Sequence, residues 1–227
     1  MLIDTVAVGV FRCNCIIVAC ETTRQALVVD PGDYPDRILS IIHGRGLRVA
    51  CVLHTHAHLD HVMGAFGVVE ATGAPVRLHG GDYSLWHNVA ITAARHGIRP
   101  PPMPPLADPL ADGEMIRVGV ECVRVIHTPG HTAGSCCFAF QGREGDQVLL
   151  SGDTLFKGAI GVRLRGGTST WTPTVRQVVA SIRDRLLTLG DDTRVLPGHG
   201  PDTSIGAERR GNPFLHDAED ETCQTSR

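Results

Sequence analysis

Residues 54 to 64 read HTHAHLDHVMG, which places four histidines and one aspartate within eight positions. Imidazole is the commonest biological metal ligand, but four so close in sequence cannot all reach one ion. Other short apolar runs end in similar chemistry. LVV (27–29) precedes Asp30-Pro31-Gly32, and VACVL (49–53) leads into the histidine cluster. VRVI (123–126) precedes HTPGH and ends at His131, VLL (148–150) precedes SGD and ends at Asp153, and RVL (194–196) precedes PGH and ends at His199. A hydrophobic core has no use for imidazoles and carboxylates without partners, so packing does not explain five such endings. A metal centre does. Strands of one sheet would deliver these ends to a common edge, where glycines let the backbone pass close to the site.

The donor set narrows the ion. Imidazole and carboxylate without thiolate suit zinc, with iron or manganese as alternatives. The count narrows the nuclearity. His56, His58, Asp60, His61, His131, Asp153 and His199 make seven ligands. One catalytic ion takes about three and keeps a position for water. Seven fit two ions about 3.5–4 Å apart, bridged by one carboxylate. Ions of this kind lower the pKa of water to about 7 and make hydroxide available at neutral pH. A thiol, with a pKa of about 8.5, can leave without a dedicated acid, whereas an amide nitrogen needs a proton. The absence of an assigned acid therefore favours thioesters.

The elements that must position these groups are legible as β-branched runs closed by turn chemistry, which read as strands. Helical signals lie between them. Ile38, Leu39, Ile41 and Ile42 mark a helix over 35–45, and Val175, Val178, Val179, Ile182 and Leu186 mark another over 174–189. Thr172-Pro173 is its expected start and Gly190 its stop. A third helix is expected from about His61, burying Val62, Phe66 and Val69. RPPPMPPLADP (99–109) reads as a rigid surface loop rather than a linker, because the apolar runs beyond it continue the same site logic. One domain is expected over 1–216, followed by a flexible acidic tail at 217–227.

Bulk properties exclude other classes. The chain has 227 residues, 42% hydrophobic and 20% charged, with a formal net charge of −3, so it lacks the basic face that nucleic-acid binding needs. No apolar stretch approaches the roughly 20 residues of a membrane span. MLIDTVAVGVFRCNC has no basic leader, and a cytoplasmic location is expected. The eight cysteines (Cys13, Cys15, Cys20, Cys51, Cys122, Cys136, Cys137 and Cys223) show no C-x-x-C pair and read as reduced, mostly buried small hydrophobes. The expected partner is a small-molecule substrate.

THAHLDH resembles the T-H-x-H-x-D-H signature of the metallo-β-lactamase superfamily, and His131, Asp153, His199 and the DPG turn at 30–32 match its remaining positions. The resemblance runs from the first strands to about Leu215. It implies an α/β fold, an αββα sandwich of two mixed sheets with helices outside and metals at one edge. HTPGHTAGS (127–135), SGDTLF (151–156) and LPGHG…TSIGAERRGNPFL (196–215) are most similar to the glyoxalase II, or hydroxyacylglutathione hydrolase, group. Carried over, that likeness gives His56, His58 and His131 to the first ion, and Asp60, His61 and His199 to the second. Asp153 bridges, and Asp60 also orients the nucleophile.

The chain resembles the shorter bacterial members, which lack the C-terminal helical extension of the full-length enzymes. Val162 stands where those enzymes usually carry a basic residue, and Arg163 and Arg165 are candidates to replace it. Arg209 and Arg210 are candidates to bind an acidic substrate group. Asp30 is expected to brace the metal loops by hydrogen bonding, His54 to lie in the core behind the ligands, and His127 to position the loop before His131. His43, His79, His87, His96 and His216 are read as surface or local structure, and Tyr83, Trp86 and His87 as helix contacts rather than a pocket wall. The activity implied is hydrolysis of an acyl thioester such as an S-2-hydroxyacylglutathione. The same scaffold also supports a mononuclear iron persulfide dioxygenase using His56, His131 and Asp153, or a lactonase or β-lactamase.

Overall fold

The computed structural model describes residues 1–100, 102–162 and 173–216. Arg163, Arg165, Thr172 and the tail at 217–227 therefore lie outside the described residues.

Two sheets carry the structure. The first has five strands in the order β1 (Leu2–Val8), β2 (Cys13–Ala19), β3 (Gln25–Val29), β4 (Arg48–Leu53) and β5 (Val76–Arg77). Its first three strands are antiparallel, while β3, β4 and β5 run parallel. The second sheet is built from β6 (Met115–Val118), β7 (Glu121–His127), β8 (Cys136–Gln141), β9 (Gln147–Gly152), β12 (Arg194–Pro197) and β13 (Thr203–Ser204), in spatial order β13-β12-β9-β8-β7-β6. β6 to β9 form an antiparallel meander, and β12 adds parallel to β9. A small hairpin, β10 (Leu155–Phe156) and β11 (Ala159–Ile160), follows β9.

The period-two alternation of the strands sorts their side chains between layers. In β2, Ile16 and Val18 face the other sheet, while Cys13, Cys15, Ile17 and Ala19 face helices. Between the sheets, Ile16, Val18, Leu27, Val29 and Leu53 meet Val123, Val125, Phe138, Phe140, Val148, Leu150 and Leu196. Outside the first sheet lie α1 (Pro35–Gly44), α2 (Leu59–Val62), α3 (Ala65–Thr72), α4 (Tyr83–His87) and α5 (Val89–Arg95), contributing Ile38, Ile42, Val62, Val68 and Trp86. Outside the second sheet lies α6 (Pro173–Ser181), and its apolar face, continued through a π turn at Ile182–Leu186, covers Ile126, Cys137, Leu149 and Val195. Three interlayer cores thus separate four layers, which is the αββα sandwich.

Two details differ from the sequence expectations. The helix anticipated from His61 is two pieces, α2 and α3, and the second buries Ala65 and Val68 while Phe66 and Val69 are only half-buried. The break sits at Gly64. Its N–H is taken by the Pro31 carbonyl at 2.8 Å, and a side chain there would meet that same oxygen at 2.7 Å, so the DPG turn interrupts the helix. Second, the ligand-bearing ends belong to two sheets rather than one. β3 and β4 end on the rim where β7, β9 and β12 of the facing sheet end, and the Cys136 N–H donates to the Thr55 carbonyl across that rim. The seven described cysteines are all free, and all but Cys122 are buried, in keeping with the expectation.

The proline-rich segment lies against the first sheet. Leu106 bridges to Val76, and the Ala107 and Leu110 N–H groups donate to the Val76 and Leu78 carbonyls. Among the described residues, no helix is long and apolar enough to cross a membrane.

Candidate metal centre

The turn after β4 and the start of α2 carry His56, His58, Asp60 and His61. The β7–β8 loop carries His131, the end of β9 carries Asp153, and the end of β12 carries His199. Their donor atoms converge. His58 Nδ1 lies 2.8 Å from His131 Nε2 and 3.1 Å from His56 Nε2. His61 Nε2 lies 3.3 Å from His199 Nε2, which in turn lies 3.1 Å from Asp60 Oδ2. These are two three-residue groups able to hold an ion, His56/His58/His131 and Asp60/His61/His199. Asp153 stands between them. Its Oδ1 is 3.4 Å from His61 Nε2 and 3.8 Å from His199 Nε2, and its Oδ2 is 3.5 Å from His131 Nε2 and 4.0 Å from His56 Nε2.

Hydrogen bonds behind the ligands fix which nitrogen faces inward. Asp30 accepts the Thr55 N–H at 2.8 Å, the Thr55 hydroxyl at 2.6 Å and the His61 Nδ1–H at 3.0 Å. Because the Thr55 proton goes to Asp30, His56 Nδ1 donates to the Thr55 oxygen, at 3.0 Å. His131 Nδ1 donates to the Gly161 carbonyl at 2.8 Å. On these partners, His56, His61 and His131 each turn a bare Nε2 lone pair inward. Lone pairs and carboxylate oxygens facing one another, with Asp153 Oδ1 buried and without a hydrogen-bond partner, repel unless a cation lies between them. The donor set therefore fits divalent metal.

The electrostatics agree. Burial, reinforced by neighbouring imidazoles, pulls His56 well below its ordinary pKa and His58 down to about 4, so both are neutral at pH 7 and able to ligate. Burial opposes ionisation of Asp60 and Asp153, but the histidines around them outweigh it and hold both carboxyls low. The Asp60 hydrogen bond raises His199 against the effect of burial. For His61, burial is overcome by Cys13, Asp153 and Asp30, and its pKa is raised. That corner of the site attracts positive charge.

Asp82 gave no signal in the sequence, yet it ties the first group together. It is fully buried and accepts the Ala57 N–H at 3.0 Å, the Thr132 hydroxyl at 2.7 Å and the Gly134 N–H at 2.7 Å. Asn14 plays a similar part on the other side, donating from Nδ2 to the Pro197 and Gly200 carbonyls beside His199. Cys13 Sγ lies 3.5 Å from His61 Nδ1, and burial pushes its thiol up to about 11.

His54 is fully buried, 3.7 Å from Asp30 and against Trp86, and burial lowers it to about 4. His127 holds its loop through Nε2 to the Ala133 carbonyl at 3.0 Å and stacks on His79 with centroids 4.0 Å apart. Arg209 and Arg210, the candidates for an acidic substrate group, both have partners within the chain. Arg209 donates to the Leu187 and Leu189 carbonyls and pairs with Asp191 at 2.7 Å, and Arg210 turns to the same aspartate. Arg209 thus caps the chain leaving the π turn, while Arg210, largely exposed, leans on Asp191 alone.

A four-layer sandwich with this rim of histidines and aspartates defines a class of metal-dependent hydrolases. The sequence profile of the metallo-beta-lactamase superfamily matches residues 8–199, and the chain belongs to that superfamily. It is 40% identical over 227 residues to an uncharacterised protein of Mycobacterium tuberculosis, covering 95% of this chain and 98% of that one. It is 32% identical to hydroxyacylglutathione hydrolase GloC of Haemophilus influenzae, covering 95% and 99%. Among solved structures, BLEG-1 B3 metallo-beta-lactamase superposes with a TM-score of 0.81 at 32% identity, covering 95% and 100%. A di-iron-bound form of TTHA1623 gives 0.78 at 36%, covering 93% and 100%.

Proposed function

We propose that the protein is a dinuclear hydrolase of small acyl thioesters, with S-2-hydroxyacylglutathione as the reference substrate. The observation that carries the reading is Asp153, whose two oxygens face two separate three-residue groups. His56, His58 and His131 would hold one ion, Asp60, His61 and His199 the other, and Asp153 would bridge them. Zinc suits this donor set, with iron or manganese as alternatives. Two divalent ions supply a hydroxide nucleophile near neutral pH and polarise a carbonyl.

The chain contributes order around that chemistry. Thr55 and Asp30 keep the His56 and His61 rings in one tautomer. Asp60, oriented by His199, would hold a proton of the attacking water. A departing thiolate asks for no further acid. The full-length likeness to GloC supports the thioester reading. Free cysteines without a pairing pattern support a reducing compartment such as the cytoplasm. The remaining expectations, one domain over 1–216 and no nucleic-acid or membrane partner, belong to the same proposal.

One observation favours a second reading: the likeness to BLEG-1 points to β-lactam hydrolysis. Metal analysis of purified protein with a substrate panel separates the two. We expect two metals per chain and cleavage of S-lactoylglutathione well above nitrocefin. One iron per chain with consumption of glutathione persulfide would instead indicate an oxygenase, and preference for nitrocefin would favour the second reading.

A further inference from the structure

The segment TSIGAERRGN at 203–212 was expected to supply arginines to the substrate, but its arginines are engaged elsewhere. Two of its other polar side chains, Glu208 and Asn212, converge on the β10–β11 turn. Glu208 is 3% exposed and Asn212 fully buried. Glu208 accepts the Gly158 N–H at 2.8 Å, and its other oxygen takes the Thr203 hydroxyl. Asn212 donates to Glu208 at 2.8 Å and to the Ala159 carbonyl at 3.1 Å. A buried carboxylate and a buried amide thus hold a two-strand hairpin whose own ladder is only two residue pairs long. Desolvating them serves a purpose only if the turn must hold its place.

That turn presents Lys157, the sole lysine in the sequence. Lys157 is exposed and has no ion-pair or hydrogen-bond partner among the described residues. With Phe156, Gly200 and Pro201 it lines a cleft of about 310 Å³ that includes His199. The Phe156 ring lies 6.5 Å from the His199 imidazole, centroid to centroid. An ammonium with no partner among the described residues, on a fixed turn that lines one cleft with a proposed metal ligand, suits the recognition of negative charge.

We propose that Lys157 binds a carboxylate of the substrate and that the Glu208–Asn212 clamp fixes it there. The inference rests on the thioester reading above and assigns the substrate an anionic arm, on either the thiol or the acyl half. Lys157 selects substrate and takes no part in bond breaking.

The test compares kcat/KM of the metal-loaded protein on three thioesters. S-lactoylglutathione carries its carboxylates on the thiol half, S-succinyl-N-acetylcysteamine carries one on the acyl half, and S-lactoyl-N-acetylcysteamine carries none. Lys157→Gln should lower the ratio of carboxylated to neutral kcat/KM about 10-fold, through KM, the scale of one charge-assisted hydrogen bond. Lys157→Arg should restore most of it, and the carboxylated substrate that responds identifies the half. A ratio unchanged within two-fold on both carboxylated substrates overturns the proposal.

Calorimetry with S-methylglutathione for the thiol half and succinamate for the acyl half, neither of which is a thioester, separates this failure from failure of the reading. Binding weakened about 10-fold in Lys157→Gln, in a protein that cleaves no thioester, would sustain the lysine site and remove the thioesterase. Thioester cleavage indifferent to Lys157 would do the opposite, and neither binding nor cleavage would remove both.

Discussion

Asp82 carries no metal-facing atom, yet both chain segments around the first ligand group, the turn at Ala57 and the β7–β8 loop at Thr132 and Gly134, hang on its carboxylate. Replacing it by alanine leaves two buried N–H groups without their acceptor, while the Thr132 hydroxyl keeps Ser135. Each costs about 1–3 kcal/mol, partly offset by removal of a buried charge. Asp82→Ala is therefore expected to lose about 2–4 kcal/mol of stability in urea unfolding, and metal affinity about 10- to 100-fold, as for other partners behind metal ligands. Competition with a chromophoric chelator measures the second; unchanged affinity would mean that the loops hold themselves. Asp153→Ala tests the bridge directly. Metal content should fall from two ions per chain towards one, and kcat/KM by at least about 100-fold. At this scale the sequence was informative where a residue announces itself locally. His56 to His61 do so through spacing. Asp82 does not, because its GGDYS context reads as an ordinary turn and its partners lie 25 to 52 positions away. The partners of Arg209 and Arg210 were illegible for the same reason, since nothing local reveals that Leu187, Leu189 and Asp191 await the first and Asp191 the second.

Among the elements, strands were legible because β-branched runs closed by Gly, Pro and Asp permit little else, and β3, β4, β7, β9 and β12 all form where those runs lie. The α2–α3 break was not legible, since it depends on the DPG turn arriving from another strand. The same close approach makes a prediction. A side chain on Gly32 would stand 1.8 Å from the Asp60 carbonyl, so Gly32→Ala must push α2 and its ligands outward. A cost of at least about 1–3 kcal/mol is expected, with impaired metal binding. Gly44, at the end of α1, meets nothing within 4 Å and has no left-handed φ. Gly44→Ala is expected to stabilise the protein by about 0.5 kcal/mol through a less flexible unfolded chain. Urea midpoints of the two variants should move in opposite directions, and a shared sign would contradict the contact geometry.

On the scale of the whole molecule, the proposed ligands come from both halves of the sandwich: His56, His58, Asp60 and His61 follow the first sheet, and His131, Asp153 and His199 follow the second. The sheets already share a core, and near the site Asn14 of β2 reaches the β12 end while Thr55 reaches β8. Metal held between the halves binds the folded chain and not a chain in which the two rims have separated, so it must stabilise the fold by mass action. At a free-metal concentration 100 times the dissociation constant the gain is about 2.7 kcal/mol. For a chain of this size that corresponds to a rise in Tm of about 5–11 °C. Thermal unfolding of chelator-stripped protein, repeated with zinc, iron(II) and manganese at buffered free concentrations, measures it and ranks the ions. Asp82→Ala should shrink the shift at any given free metal concentration, because weaker binding lowers the ratio of metal to dissociation constant. A Tm indifferent to all three ions would mean that the two rims do not share a metal, and the dinuclear reading would fall with it.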